Sequence, residues 1–187
     1  MKRLVLLLFS LISIMAYGQK NEYSDVTFYG TDFSLVKVYG SDNSPYQFQE
    51  AFYGMNRLFL SEPKKYNVQK ILGIKVNAVD LGPVEKQNDK IDTSGLLING
   101  YGGYELTTQQ VEQAIKNLPI ESKEGTGLVL VAEVLNKASA RGSFKVVFFD
   151  IASRQVLEML DGKGKAQGFG LRNYWAHAML DAVKKAQ

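Results

Sequence analysis

Two short segments, residues 25–30 (DVTFYG) and 32–40 (DFSLVKVYG), mix β-branched and aromatic residues with polar ones, and each closes on Tyr-Gly. That pattern predicts two strands. The period then lengthens: Phe48, Ala51, Phe52, Met55, Leu58 and Phe59 fall at the three- and four-residue spacing of one helical stripe. Ser44 as cap, Pro45 in the first turn and Gln47 three residues after the cap form a capping box that starts this helix. Glu62-Pro63 ends it, because proline drives its predecessor towards extended geometry. An aromatic stripe also suits a ligand groove, but burial in a core is its commoner use.

Residues 67–73 (NVQKILG) add a helical turn, and residues 74–81 (IKVNAVDL) read as the next strand. Residues 82–92 are polar, contain Pro83 and show no period, which predicts an exposed loop. Residues 95–106 (GLLINGYGGYEL) support two readings: a strand over Leu96–Ile98, and a turn or mobile lid through the glycines and tyrosines that follow. Val111, Ile115 and Leu118 then share one face of a helix capped by Thr107 or Thr108.

The last third is the most regular. Residues 127–138 (GLVLVAEVLNKA) are almost continuously apolar, as a central strand covered on at least one face should be. SFKVVFFD (143–150) and QVLEML (155–160) follow after the short turns SARG and IASR. Three strands joined this way predict an antiparallel meander. A helix over Leu171–Ala186 closes the chain, with Leu171, Trp175, Ala178, Met179, Ala182 and Ala186 on one arc and Asn173, His177, Asp181 and Lys184 on the other. The order β-β-α-β-α-β-β-β-α predicts an α+β, two-layer α/β fold: a mixed sheet ending in a three-strand meander, with helices packed mainly on one face.

Composition adds an address to this outline. Lys2 and Arg3 precede an apolar run from Leu4 to Ala16, and Ala16 and Gly18 sit at the −3 and −1 positions of a cut before Gln19. An h-region of about 13 residues is too short to span a bilayer and has the form of a secretory signal. Residues 1–18 are therefore expected to be a signal peptide, with 19–187 a single α/β domain in the periplasm or secreted, and no membrane span after cleavage. Removing residues 1–18 takes away Lys2 and Arg3 and lowers the formal charge from +3 to +1. A charge so near zero, without a basic run, predicts no nucleic-acid partner. The chain contains no cysteine, so no disulfide holds the domain and no thiol can carry a lipid.

Candidate chemistry centres on residues 162–180 (GKGKAQGFGLRNYWAHAML). A dinucleotide fingerprint needs G-x-G-x-x-G between a strand and a helix; from Gly162 the spacing is one residue too long, and the preceding strand belongs to a meander. The glycines read instead as a turn feeding the last helix. One histidine and no cysteine exclude a His-rich zinc site and a thiol nucleophile. His177 falls on the solvated arc with Asp181 one turn on, an ordinary helix-surface pair rather than part of a Ser-His-Asp triad. Asp80, Asp150 and Asp161 each close a predicted strand and suit turn formation. No cofactor is implied.

The segment 144–185 resembles small exported envelope proteins of bacteroidetes-type bacteria. It is more distantly similar to the α/β domain shared by the amino-terminal part of the translocation protein TolB, the curli-secretion lipoproteins and the lipoprotein activators of penicillin-binding proteins. The positions that match are Asp150 at a strand end, the link Ile151–Arg154, the strand Gln155–Leu160 and the helix Leu171–Ala186. The resemblance implies a non-enzymatic, cofactor-free domain that binds another envelope protein. On that reading Lys163, Lys165, Arg172, Asn173 and Tyr174 gather at the start of the last helix as the partner-binding surface, since Arg and Tyr dominate interface energetics. Two other functions stay open: a small-ligand or glycan site built on Tyr53, Tyr101 and Tyr104, and a hydrolase with a carboxylate pair.

Overall fold

Eleven residues, Thr126–Asn136 (β5), form the strand around which the sheet is built. Leu128, Leu130, Ala132 and Leu135 enter one buried cluster, while Val129 and Val131 enter another. The unbroken apolar run of β5 thus encodes burial on both faces. The computed structural model describes Tyr23, residues 25–100 and residues 103–186. The expected signal segment and Tyr101 lie outside the described residues.

Before β5 the chain forms β1 (Val26–Asp32), β2 (Lys37–Tyr39), α1 (Pro45–Ser61), α2 (Val68–Leu72) and β3 (Val76–Val79). It continues through α3 (Gly82–Asn88), a 3₁₀ turn at Thr93–Gly95, β4 (Leu97–Ile98) and α4 (Thr108–Asn117). After β5 come β6 (Arg141–Asp150), β7 (Val156–Lys165) and α5 (Leu171–Lys184). β6 runs antiparallel along the whole of one edge of β5, from Thr126↔Asp150 to Asn136↔Arg141. The other edge is shared end to end: β1 takes the first half in parallel and β2 the second. β1 and β2 are therefore two halves of one interrupted strand. β3 and β4 pair in parallel outside them, and β7 pairs antiparallel with β6 at the opposite border. The protein combines helices with a mostly parallel sheet, as the α/β and α+β classes do.

Helices cover both faces of this sheet, a departure from the expectation that they pack mainly on one. α1, α2 and α5 close the cluster that contains Phe28, Leu130 and Phe144. Val84 of α3, together with Val111 and Ile115 of α4, closes the other, against Tyr29, Val131 and Phe149. The Ser44 capping box forms as the sequence indicates, and Thr107, one of the two expected caps of α4, proves to head a second box. The Ser44 hydroxyl accepts from Gln47 N–H and the Gln47 side chain accepts from Ser44 N–H, and Thr107 and Gln110 repeat the arrangement on α4. The expected loop at 82–92 is a second departure, because α3 occupies Gly82–Asn88. Pro83 stands in its first turn and Val84 and Gln87 are its inward positions, so a polar glutamine hides half of a very short period. Asp80 and Asp150 do act as turn formers, accepting from Gly82 N–H and Ser153 N–H. Asp161 does not end its strand, since β7 continues to Lys165.

The interruption between β1 and β2 lies at residues 33–36, where Val36 N–H turns back to the Phe33 carbonyl at 3.1 Å. β3 pairs no further along β1 than Phe28. Beyond that point side-chain amides occupy the place of a strand. Asn56 of α1 accepts from Thr31 N–H at 2.7 Å and donates to the Thr31 carbonyl at 2.9 Å. Asn88 of α3 accepts from Phe33 N–H at 2.7 Å and donates to the same Thr31 carbonyl at 3.0 Å. The Asp32 carboxylate accepts from Ser34 N–H at 2.8 Å and from the Gln87 amide at 2.6 Å, and the Tyr104 hydroxyl donates to the Leu35 carbonyl at 3.0 Å. Thr31, Asp32 and Asn56 have no solvent exposure, so the bonds between Asn56 and Thr31 and between Gln87 and Asp32 satisfy groups buried from water.

Two outcomes follow from this polar seam. Asn56→Leu leaves the Thr31 N–H without a partner while the Thr31 carbonyl keeps Asn88, and at roughly 1–3 kcal/mol for an unsatisfied buried group the folding free energy should fall by about 1–3 kcal/mol. Urea unfolding of the purified variant measures it, and a loss under about 1 kcal/mol would show that the seam carries no such load. Burial raises the Asp32 carboxyl above its ordinary value of 3.8, although the Ser34 and Gln87 hydrogen bonds pull it down. A carboxyl with a raised folded pKa favours the folded state while protonated, so its contribution is lost as pH climbs from 3.8 through the raised value. Asp32→Asn should remove that part of the slope in unfolding midpoints taken from about pH 4 to about pH 8.

Candidate functional site at the junction of β7 and α5

The stretch GKGK, expected to be a turn, is the end of β7. Gly162 pairs with Phe144, Lys163 with Ser143, Gly164 with Gly142 and Lys165 with Arg141. Alternate residues of a strand share a face, so the two glycines stand together and the two lysines stand opposite. The glycine face receives α5. A Cβ on Gly162 would lie 2.4 Å from the Ala182 carbonyl oxygen, and one on Gly164 would lie 1.9 Å from that of Ala178. Glycine is required there because the helix backbone rests on the strand backbone, not because an anion does.

Side chains of α5 also hold the end of the strand. Asp181 accepts from Lys165 N–H at 2.8 Å, and His177 Nδ1–H donates to the Lys165 carbonyl at 2.8 Å. Lys185 Nζ meets the same Asp181 carboxylate at 2.6 Å. Partial burial pushes the Asp181 carboxyl up, but the bonds from Lys185 and Lys165 outweigh it and the group sits below its ordinary value. The single histidine is thus exposed and engaged with a backbone carbonyl. It grips the sheet edge with Asp181 rather than serving a nucleophile.

Between strand and helix the chain is ordered. Ala166 N–H donates to the Ala140 carbonyl at 2.8 Å, and Gln167 N–H donates to the Tyr174 carbonyl at 3.4 Å. Gly168 and Gly170 adopt φ of +117° and +76°, a left-handed geometry that favours glycine, and they bracket Phe169. Phe169 is 96 % exposed. α5 begins immediately afterwards with no side-chain cap. Arg172 and Asn173 are exposed in its first turn, with Arg172 Nε donating to Asn173 Oδ1 at 3.0 Å and the Arg172 stem lying over Gly54 of α1. Tyr174 is half-buried, edge-on to Trp175, with Lys137 Nζ 3.8 Å from its ring centroid. Arg172, Asn173 and Tyr174 therefore share the start of α5. Lys163 and Lys165 project from the other face of the sheet, so the five expected partner-binding residues divide into two groups. Phe169 was missed, because an aromatic among glycines carries no period; the signal available was a large apolar residue bracketed by two glycines.

Lys163 instead lines a cleft of about 210 Å³ with Tyr104, Glu133, Arg141 and Ser143. Glu133 sits at a bulge, where the β5–β6 register shifts between Ala132 and Val134, and accepts from Leu106 N–H at 2.8 Å. Lys145 Nζ stands between it, at 3.5 Å, and Asp161, at 2.7 Å. Burial pushes the Lys145 ammonium down, but the Asp161 bond and the Glu133 charge outweigh it and leave the group above its ordinary value. This is a carboxylate pair spanned by a cation. Glycoside cleavage instead needs one protonated and one ionised carboxyl facing each other across the substrate.

Tyr53 is 52 % exposed on α1 and borders a different cleft of about 400 Å³ with Glu85 and Asp89. Tyr53 and Tyr104 do not form one platform. Among the described residues, no group of three or more His, Asp or Glu side chains is placed to hold a metal, and no helix is long and apolar enough to cross a membrane.

Gly164→Ala must push α5 away from β7, and overpacking of this kind should cost about 1–3 kcal/mol or more, read as a lower urea midpoint; an unchanged midpoint would mean that the helix does not rest on the strand. Comparison with known proteins finds no matching family model, no matching curated protein and no matching solved structure.

Proposed function

We propose that this is an exported, non-enzymatic envelope protein that docks on another envelope protein through the corner where β7 turns into α5. The observation that carries the reading is Phe169, a large aromatic 96 % exposed between two glycines of left-handed geometry, three residues before the exposed Arg172. Folding gains nothing from an aromatic in water, whereas phenylalanine and arginine are both enriched at the cores of protein interfaces. Asn173 and the Lys137–Tyr174 pair add polar groups to the start of α5. The resemblance to the TolB-type and lipoprotein-type envelope domains supports the same reading. It rests on the strand end at Asp150, the link Ile151–Arg154, the following strand and the last helix, and it implies no cofactor.

The test is a pair of variants in a quantitative capture from envelope extract, with a photo-crosslinking residue at position 169 to identify what touches the corner. Phe169→Ser and Arg172→Ala should each weaken capture of the crosslinked protein by about thirtyfold or more, the loss of about 2 kcal/mol that marks an interface hot spot. Tyr53→Ala, on another surface, should leave capture unchanged. Equal capture by all three variants would sink the reading. Amino-terminal sequencing of the mature protein from the periplasm or medium should begin at Gln19, and recovery of the chain with Met1 intact would remove the export step.

A further inference from the structure

A second cleft, of about 530 Å³, opens beside the interruption between β1 and β2. Its volume falls within the range of small-molecule sites. Three of its polar residues, Gln110, Gln113 and Asn117, lie on α4 at the spacing that places them along one helical face, and Gln87 of α3 lies opposite as the buried floor, 8 % exposed. Each of these carboxamides is anchored within the protein by one end. Gln87 commits its NH₂ to the Asp32 carboxylate at 2.6 Å and the Ala114 carbonyl at 3.3 Å, which leaves its amide oxygen without a partner. Gln110 commits its oxygen to Thr107 N–H at 2.9 Å, which leaves its NH₂ without one. Gln113 donates to Asn117 Oδ1 at 2.9 Å, so the Gln113 oxygen and the Asn117 NH₂ are both unengaged.

The cleft therefore presents two acceptors and two donors whose orientations are already set by bonds behind them. Such groups lose little freedom on binding. Lys90 is the only charged residue in the lining, and Leu35 and Pro119 contribute apolar patches. A hydroxyl both donates and accepts, so a ring bearing several hydroxyls can satisfy donors and acceptors alike, while its C–H faces lie on the apolar patches. We infer that the cleft between α3 and α4 is a binding site for a neutral polyhydroxylated ligand, a saccharide, held by Gln87, Gln110, Gln113 and Asn117. This site is separate from the Phe169 corner and uses none of the three tyrosines singled out by the sequence.

The experiment uses the mature protein, labelled with nitrogen-15, titrated with maltose, N-acetylglucosamine and N,N′-diacetylchitobiose while the side-chain amide signals are followed. At least one sugar should shift the Gln87, Gln110, Gln113 and Asn117 amides saturably, with a Kd of about 0.1–1 mM. The affinity should not change with added salt, because the ligand is neutral. Gln113 is exposed, so Gln113→Ala should keep the wild-type unfolding midpoint while weakening binding by about tenfold or more. Phe169→Ser should bind the sugar as the wild type does, which separates this site from the docking corner. The inference is overturned if none of the three sugars gives saturable shifts, if the shifts map to the Tyr53 or Tyr104 clefts, or if Gln113→Ala binds with unchanged affinity.

Discussion

A strand that breaks in mid-sheet sets the constraint to which the rest of this molecule answers. Between Asp32 and Lys37 the backbone leaves the ladder beside the buried Asp32, Phe33 and Val36, and its polar groups there must find partners within the protein. Asn56 of α1 bonds the Thr31 peptide groups just before the break, Asn88 of α3 bonds Phe33 N–H, Gln87 of α3 bonds the Asp32 carboxylate, and Tyr104 before α4 bonds the Leu35 carbonyl. Those elements belong to both faces of the sheet. One break thereby fixes where helices sit above and below β5, and a displaced helix would expose an unmet polar group as well as apolar surface.

The C-terminal part of the sheet is secured differently. There the contact is backbone on backbone: Gly162 and Gly164 remove the side chains that would hold α5 away, and Asp181 and His177 bond the peptide groups of Lys165. Five residues join strand to helix, tied by the Ala166–Ala140 and Gln167–Tyr174 backbone hydrogen bonds, and Phe169 stands exposed among them.

Much of this architecture was legible in the residues. The Ser44–Gln47 box, a threonine cap on α4, the Phe48–Phe59 stripe and the apolar run of β5 each belong to elements long enough for a period to register. α3 was not legible, because its inward positions include a glutamine whose burial depends on Asp32, a distant partner. Nor did the stripe of α4 state which face of the sheet it would cover. The glycines of β7 read as breakers because their purpose, admitting a helix, appears only when α5 is in position.

The candidate site was legible in its chemistry more than in its grouping. Arg172, Asn173 and Tyr174 share one end of α5 as their adjacency implies, but the two-residue alternation of β7 sends Lys163 and Lys165 to the opposite side and brings Lys163 to Tyr104. Those lysines have a further consequence. β7 is a ten-residue border with no strand beyond it among the described residues, the kind of open edge along which sheets of separate molecules can join. Charged side chains at 161, 163 and 165 make a flush approach by a second copy electrostatically and sterically awkward, so the chain carries along its own margin a safeguard against polymerising into fibres.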